Sequence, residues 1–237
     1  MFISVVLPVY NERENLFQLI EEIEGALSDR PHEIVAVDDG STDGSLEALR
    51  SMAGRHAGLR ILSLSRNVGQ SAACAAGFDA ARGDVVVTMD SDGQNDPGDI
   101  PRLVAALAED SGLAAAVGFR TMRRDSRWKQ IQSRIANAVR NWITRDGVRD
   151  TGCSLKAMRR SVVLDLPRFD GMHRFMPTLI RRGGHRVVEL PVSHRPRRYG
   201  RSKYGMWNRV FRGFRDAIGV RWLERRALVY TVRGEDA

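Results

Sequence analysis

Three oxygen-bearing side chains at alternate positions, Asp90, Asp92 and Gln94, follow the apolar run Val85-Val86-Val87-Thr88-Met89. Gly83-Asp84 closes the run in front and Gly93 lies in the acidic turn behind it, the pattern of a buried strand that ends at a site. Side chains at i and i+2 of an extended segment point the same way. The spacing therefore predicts both carboxylates on one side of the strand end, with Gln94 next in register. Oxygen donors of this kind suit Mg²⁺ or Mn²⁺, and so few of them leave coordination positions open for water and a diphosphate. An isolated Asp-Ser-Asp-Gly is otherwise a solvated turn, so the rest of the chain has to decide.

The elements that would position these residues alternate. Strand-like runs at Ile3–Val9, Glu33–Val37, Leu59–Leu64, Asp84–Met89 and Leu113–Val117 are separated by helical patterns at Glu14–Leu27, Ser45–Ala53, Ser71–Ala81 and Ile100–Ala108. This predicts an α/β fold with a mostly parallel central sheet flanked by helices. Right-handed crossovers put the strand C-termini on one edge, where such sheets bind ligands. The polar stretches fall there: Pro8-Val9-Tyr10-Asn11-Glu12, Asp38-Asp39-Gly40-Ser41, Ser65-Arg66-Asn67-Val68-Gly69 and Asp90-Ser91-Asp92.

A chain of 237 residues, 43% hydrophobic, is long enough to bury a sizeable core. The net charge of +8 is concentrated in the arginine-rich C-terminal half, which seeks phosphate from nucleic acid, a membrane surface or a phosphorylated substrate. A nucleic-acid module would account for that charge but leaves Asp90, Asp92 and the strand-end motifs unused. No Gly-x-Gly-x-x-Gly follows the first strand, which argues against a NAD-linked enzyme. Cys74 and Cys153 have neither zinc nor disulfide-framework spacing and read as core residues in a reducing cytosol. The start reads directly as a strand rather than as a signal peptide, and no apolar run reaches the ~18 residues of a membrane span.

In their order and spacing, Pro8-Val9-Tyr10-Asn11-Glu12, Asp38 to Asp43, Arg66-Asn67-Val68-Gly69 and Asp90-Ser91-Asp92 resemble the nucleotide-sugar glycosyltransferases of family 2, with a GT-A fold. Ser133 to Asn137, Asp150 to Lys156 and Arg198 to Tyr204 resemble the polyprenyl-phosphate branch, which includes dolichol-phosphate mannosyltransferase and bacterial undecaprenyl relatives. The resemblance implies a catalytic domain over 1–204 and leaves 205–237 as a basic segment.

That resemblance implies a nucleoside-diphosphate sugar and a polyprenyl phosphate as substrates, Mg²⁺ or Mn²⁺ as cofactor, and no nucleic acid. Pro8, Tyr10, Glu12, Asp39 and Gly69 would bind the nucleoside, and Asp90, Asp92 and Gln94 the metal. Arg198, Ser202 and Lys203 would lie over the diphosphate, and Arg120, Ser133 and Arg134 would grip the acceptor phosphate. Asp150 is either a base or acceptor-orienting carboxylate, or a cap or partner of Arg149. Asp43 reads as a helix N-cap. His173 either contacts sugar or acceptor phosphate or is satisfied by a neighbouring carbonyl, and the remaining histidines have no metal spacing. Asp170 to Pro177 departs from the dolichol-mannosyl pattern, which leaves the sugar and the prenyl chain open.

From Met206 to Trp222 apolar residues recur at three and four with arginines between them. This predicts an amphipathic helix, either docked on an anionic membrane surface or packed on the catalytic domain. The expected location is the cytoplasmic face of the membrane, reached peripherally or through a separate membrane protein. An inert adaptor on the same scaffold would have no use for Asp90, Asp92, Arg198 and Lys203, and a transferase acting on a carbohydrate hydroxyl is the competing activity.

Overall fold

A computed structural model describes residues 1–120, 144, 147–197, 199 and 206–226. The strands are β1 (Ile3–Val9), β2 (His32–Asp38), β3 (Leu59–Ser63), β4 (Val85–Thr88), β5 (Leu113–Arg120), β6 (Lys156–Arg159) and β7 (Arg186–Val192). The helices are α1 (Arg13–Ala26), α2 (Ser45–Ala53), α3 (Gln70–Ala80), α4 (Ile100–Glu109), α5 (Arg160–Leu164), α6 (Met172–Arg182) and α7 (Met206–Arg226).

All seven strands form one sheet in the order β3-β2-β1-β4-β6-β5-β7. β1 to β4 pair in parallel as expected, but β6 enters antiparallel between β4 and β5. Because β6 reverses direction on both sides, β5 still runs with β4, and β7 runs parallel to β5. Six strands thus end at one edge. The seventh begins there, which brings residues 150–155 to the same edge as the other polar turns.

Both faces of the sheet are covered, so its strands read as continuous apolar runs. Val5, Leu7 and Val9 pack with Leu16, Ile20, Leu49 and Leu103 on one side, while Val6, Val35 and Val86 pack with Phe78, Val163 and Phe175 on the other. The helices divide accordingly: α1, α2 and α4 on the first face, α3, α5 and α6 on the second. α7 joins the second face through Ala217 and Val220, both buried in the same cluster as Met172 and Phe175. No helix among the described residues is long and apolar enough to cross a membrane.

β4 ends at Thr88, short of the predicted Met89, and residues 90–94 form a turn rather than a strand extension. Strand alternation therefore does not place the two carboxylates. Asp92 instead bends the chain by accepting the Gln94 amide at 3.1 Å, a local bond that competes with strand pairing. β6 and β7 were outside the predicted set: one has only four residues, and the other is an edge strand interrupted by Pro191.

Candidate active site

The turn after β1 is built on Asn11, the one non-glycine residue with positive φ (52°) among those described, a conformation Asn tolerates better than most. Its amide donates to Ser41 Oγ at 3.0 Å and its side-chain oxygen accepts the Thr42 amide at 2.7 Å, which locks the β1 turn to the β2 turn. Glu12 is buried there, held by Asn15 Nδ2 at 2.7 Å. Asp43 accepts the first amides of both α1 and α2, from Arg13 at 3.1 Å and Ser45 at 2.9 Å, and these bonds outweigh burial to hold its pKa low.

Asp39 is 3% exposed, and its carboxylate accepts from Asn67 Nδ2 at 2.9 Å and from the Val68 and Gly69 amides at 2.8 Å each. The β3–α3 loop is thus wrapped around one acidic side chain. The approach is close enough that a Cβ on Gly40, which has φ 67°, would stand 2.5 Å from the Asn67 nitrogen. Only glycine fits.

Asp90 receives Gln70 Nε2 on Oδ1 at 2.7 Å, and its amide donates to Ser154 Oγ at 3.1 Å. Burial, then the charge of Asp92, raises the Asp90 pKa, against the pull of Ser154, Lys156 and Gln70. Lys156 is itself fully buried, donates to the Cys153 carbonyl, and has its pKa lowered by burial. Asp92 accepts Arg197 Nη2 at 2.6 Å on Oδ2, and the same guanidinium lies 3.8 Å from Glu12.

Arg197 lies on a strap that follows β7. The Ser193 amide donates to Asp99 at 2.7 Å, and the Arg195 amide donates to Gln94 O at 2.8 Å. Arg195 also pairs with Glu22 and Asp96 at 2.5 and 2.8 Å. His194 Nε2 is 3.5 Å from Gln94 Nε2. Arg195 and Arg197 both turn their guanidinium groups to acidic side chains of this edge, and His194 between them reaches Gln94.

At the other end of the cleft, Arg120 grips Asp150 with two bonds, Nε to Oδ2 at 2.7 Å and Nη2 to Oδ1 at 2.8 Å. Burial alone would lower the Arg120 pKa, and the Asp150 carboxylate more than reverses it.

The cleft has a volume of ≈ 260 Å³, and Pro8, Tyr10, Glu12, Asp39, Asp90, Asp92, Gln94 and Arg120 all line it. Gly69 touches the site through its amide on Asp39, and Asp150 through Arg120. Ser133, Arg134, Arg198, Ser202 and Lys203 lie outside the described residues. Sequence reasoning put Asn67 at this edge without a role, and missed Gln70, Asn95, Ser154, His194 and Arg197 as cleft residues. The available signal for Arg197 was its alternation with Arg195 in the run after β7. A larger hollow of ≈ 560 Å³ at Asp110, Arg181 and Arg186 lies at the opposite edge of the sheet, and there Arg186 is paired with Asp110 at 2.8 Å.

Three buried carboxylates, Glu12, Asp39 and Asp92, and the half-buried Asp90 thus face one cleft with guanidinium groups at its rim. A phosphate entering on the acidic side meets like charge unless a cation accompanies it. This is the edge at which a doubly covered sheet receives nucleotides.

Residues 4–166 match the glycosyl transferase family 2 model, and the chain belongs to that family. It is 41% identical over 229 residues to dodecaprenyl-phosphate galacturonate synthase of Rhizobium johnstonii, covering 94% of this chain and 67% of that protein. It is also 41% identical over 209 residues to undecaprenyl-phosphate 4-deoxy-4-formamido-L-arabinose transferase of Edwardsiella ictaluri, covering 86% and 63%. The chain therefore spans about two thirds of the length of these curated relatives.

Among solved structures, glucosyl-3-phosphoglycerate synthase of Mycobacterium tuberculosis, in complex with Mn²⁺, UDP and phosphoglyceric acid, superimposes with a TM-score of 0.70 at 22% identity, covering 97% of this chain and 80% of that one. A mannosyltransferase of Pyrobaculum calidifontis with GDP-mannose and Mn²⁺ gives 0.65 at 21% identity, covering 92% and 64%. The fold is GT-A.

Proposed function

We propose that this chain transfers a sugar from a nucleoside diphosphate to the phosphate of a polyprenyl lipid, with inversion at the anomeric carbon. The observation that carries the reading is the cleft itself: desolvated carboxylates at one end, an arginine at the other, in a family 2 chain 41% identical to enzymes named for dodecaprenyl and undecaprenyl phosphates.

On this reading Pro8, Tyr10, Glu12 and Asp39 hold the nucleoside, with Gly69 and Asn67 fixing Asp39. The donor set suits Mg²⁺ or Mn²⁺: Asp90 and Asp92 are hard oxygen ligands, burial and then the charge of Asp92 raise the Asp90 pKa, and Arg197 already supplies a positive charge at Asp92. No group of three His, Cys, Asp or Glu gathers for a metal among the described residues. Gln94 and the diphosphate would complete the shell with Asp90 and Asp92. Held there, a divalent cation would supply charge neutralisation to the leaving diphosphate. Arg198, Ser202 and Lys203 add donors over the same oxygens.

Arg120, with Ser133 and Arg134, takes the acceptor phosphate. A phosphate monoester has a second pKa near ~6, so it arrives largely dianionic and needs no protein base. Asp150, already bound twice by Arg120, orients that guanidinium rather than removing a proton. Catalysis is then positioning and charge neutralisation. The catalytic unit is 1–204, and 205–237 brings it to the cytoplasmic face of the membrane. α7 supports this by exposing Ile218 and Trp222, with the Arg226 guanidinium 5.5 Å from the Trp222 ring centroid.

The test is release of nucleoside diphosphate from labelled UDP- and GDP-sugars with undecaprenyl phosphate, with and without chelator, for wild type and Asp92→Ala. One donor should be consumed, and chelator and the substitution should each abolish that consumption. Chelator-insensitive turnover, or full activity in Asp92→Ala, contradicts the metal assignment.

A further inference from the structure

The donor half of the cleft depends on the first turn of α3. Gln70 and Gly69, adjacent at its start, hold Asp90 and Asp39 respectively, so a small rotation of that turn disturbs both carboxylates. The helix start has no side-chain cap of its own. What fixes it laterally is Ser71, 5% exposed, whose Oγ accepts the Gly171 amide at 2.9 Å and lies 2.7 Å from His173 Nδ1.

The proton in the second contact can be assigned. Arg174 Nε donates to His173 Nε2 at 3.4 Å, which makes Nε2 the acceptor and leaves the hydrogen on Nδ1, facing Ser71. Burial, then the Arg174 and Lys156 charges, pushes the His173 pKa down to about 3, so the ring is a neutral donor at physiological pH. Neither sugar nor acceptor phosphate is required to explain it.

The start of α6 is held in turn from behind. Arg174 pairs with Asp216 of α7 at 3.6 Å, and a Cβ on Gly171, with φ 94°, would stand 2.7 Å from the Asp216 carboxylate. Three helices therefore meet at Gly171, His173 and Ser71.

We propose that His173 is a positioning residue for the donor site, its Nδ1–H clasping Ser71 so that the first turn of α3 presents Gln70 to Asp90 and Gly69 to Asp39. This rests on the donor reading of the cleft given above. It adds a residue that sits outside the cleft and acts through Ser71.

Two measurements test it. Amide hydrogen exchange over residues 68–75 reads the clasp without any ligand, and calorimetric titration with Mn²⁺·UDP and Mn²⁺·GDP reads the donor site. In His173→Leu and Ser71→Ala the first-turn amides should exchange about tenfold faster, and nucleotide affinity should fall about tenfold. His173→Asn, whose side-chain amide can replace the Nδ1–H, should restore affinity to within about threefold of wild type.

A general loss of stability would not distinguish Asn from Leu. Equal weakness in the two variants therefore overturns the proposal, as does faster exchange with unchanged affinity, or unchanged exchange in a folded His173→Leu. If wild type binds neither nucleotide, the donor reading fails by itself and the exchange data alone decide the clasp.

Discussion

Asp92 and Asp150 are both carboxylates beside arginine, and on the proposed reading they do different work. Asp92 has one strong guanidinium bond at 2.6 Å and opens onto the cleft, so its partner can be exchanged for a metal. Replacing it with Asn, which keeps the shape and removes the charge, should lower turnover by about 10²-fold or more, read as kcat at saturating donor. Asp150 is engaged at both oxygens by Arg120. Asp150→Asn should reduce turnover while leaving the pH profile unchanged, whereas a base would lose its limb of the profile.

His173 makes a separate prediction about stability. Its folded pKa of about 3 lies below the ordinary 6.5, so the unfolded chain binds the proton more readily between those values. The contribution of the neutral ring is complete above pH 6.5 and lost as pH falls towards 3. Urea midpoints of wild type should therefore decline more steeply across that window than those of His173→Asn, and parallel curves would contradict it. At this scale the sequence carried the acidic motif well. It carried Arg197 and Gln70 poorly, because their importance comes from contacts 105 and 20 residues away.

Turns, more than strands, decide the geometry of the cleft. β1 and α2 lie where continuous apolar runs and periodicity place them. The two-residue register argument for Asp90 and Asp92 does not apply, since β4 stops at Thr88 and a side-chain-capped turn takes over. β6 was illegible for a related reason: Lys-Ala-Met-Arg has no period, and its pairing with both β4 and β5 is set by the tertiary fold. The β2 turn supplies the prediction for this scale. Gly40→Ala should cost about 1–3 kcal/mol from its positive φ, with more from the clash at Asn67. By loosening the Asp39 loop it should also weaken nucleotide binding. Thermal unfolding and titration of the same variant check both, and a variant with wild-type values for each refutes the close approach.

At the scale of the fold, six of the seven strands among the described residues deliver their C-terminal turns to one edge, and the basic strap after β7 returns to it. The fold class was legible because alternating strand and helix patterns admit few topologies. The antiparallel insertion was not, and without it residues 150–155 would have no route to the cleft. α7 buries Ala217 and Val220 and exposes Trp222 and Ile218, so vesicles containing anionic lipid should carry the protein in flotation. Trp222→Gln with Arg225→Gln and Arg226→Gln should release it, and flotation unaffected by these changes would remove α7 from the membrane account.

The central claim is the acceptor, and it is tested by incubating the protein with its consumed nucleotide-sugar and either undecaprenyl phosphate or undecaprenol, then reading the lipids by mass spectrometry. The account predicts a mass increase of one sugar on the phosphate alone, because the nucleophile is the phosphate oxygen. Glycosylated undecaprenol, or sugar delivered only to water or a soluble glycan, would contradict it.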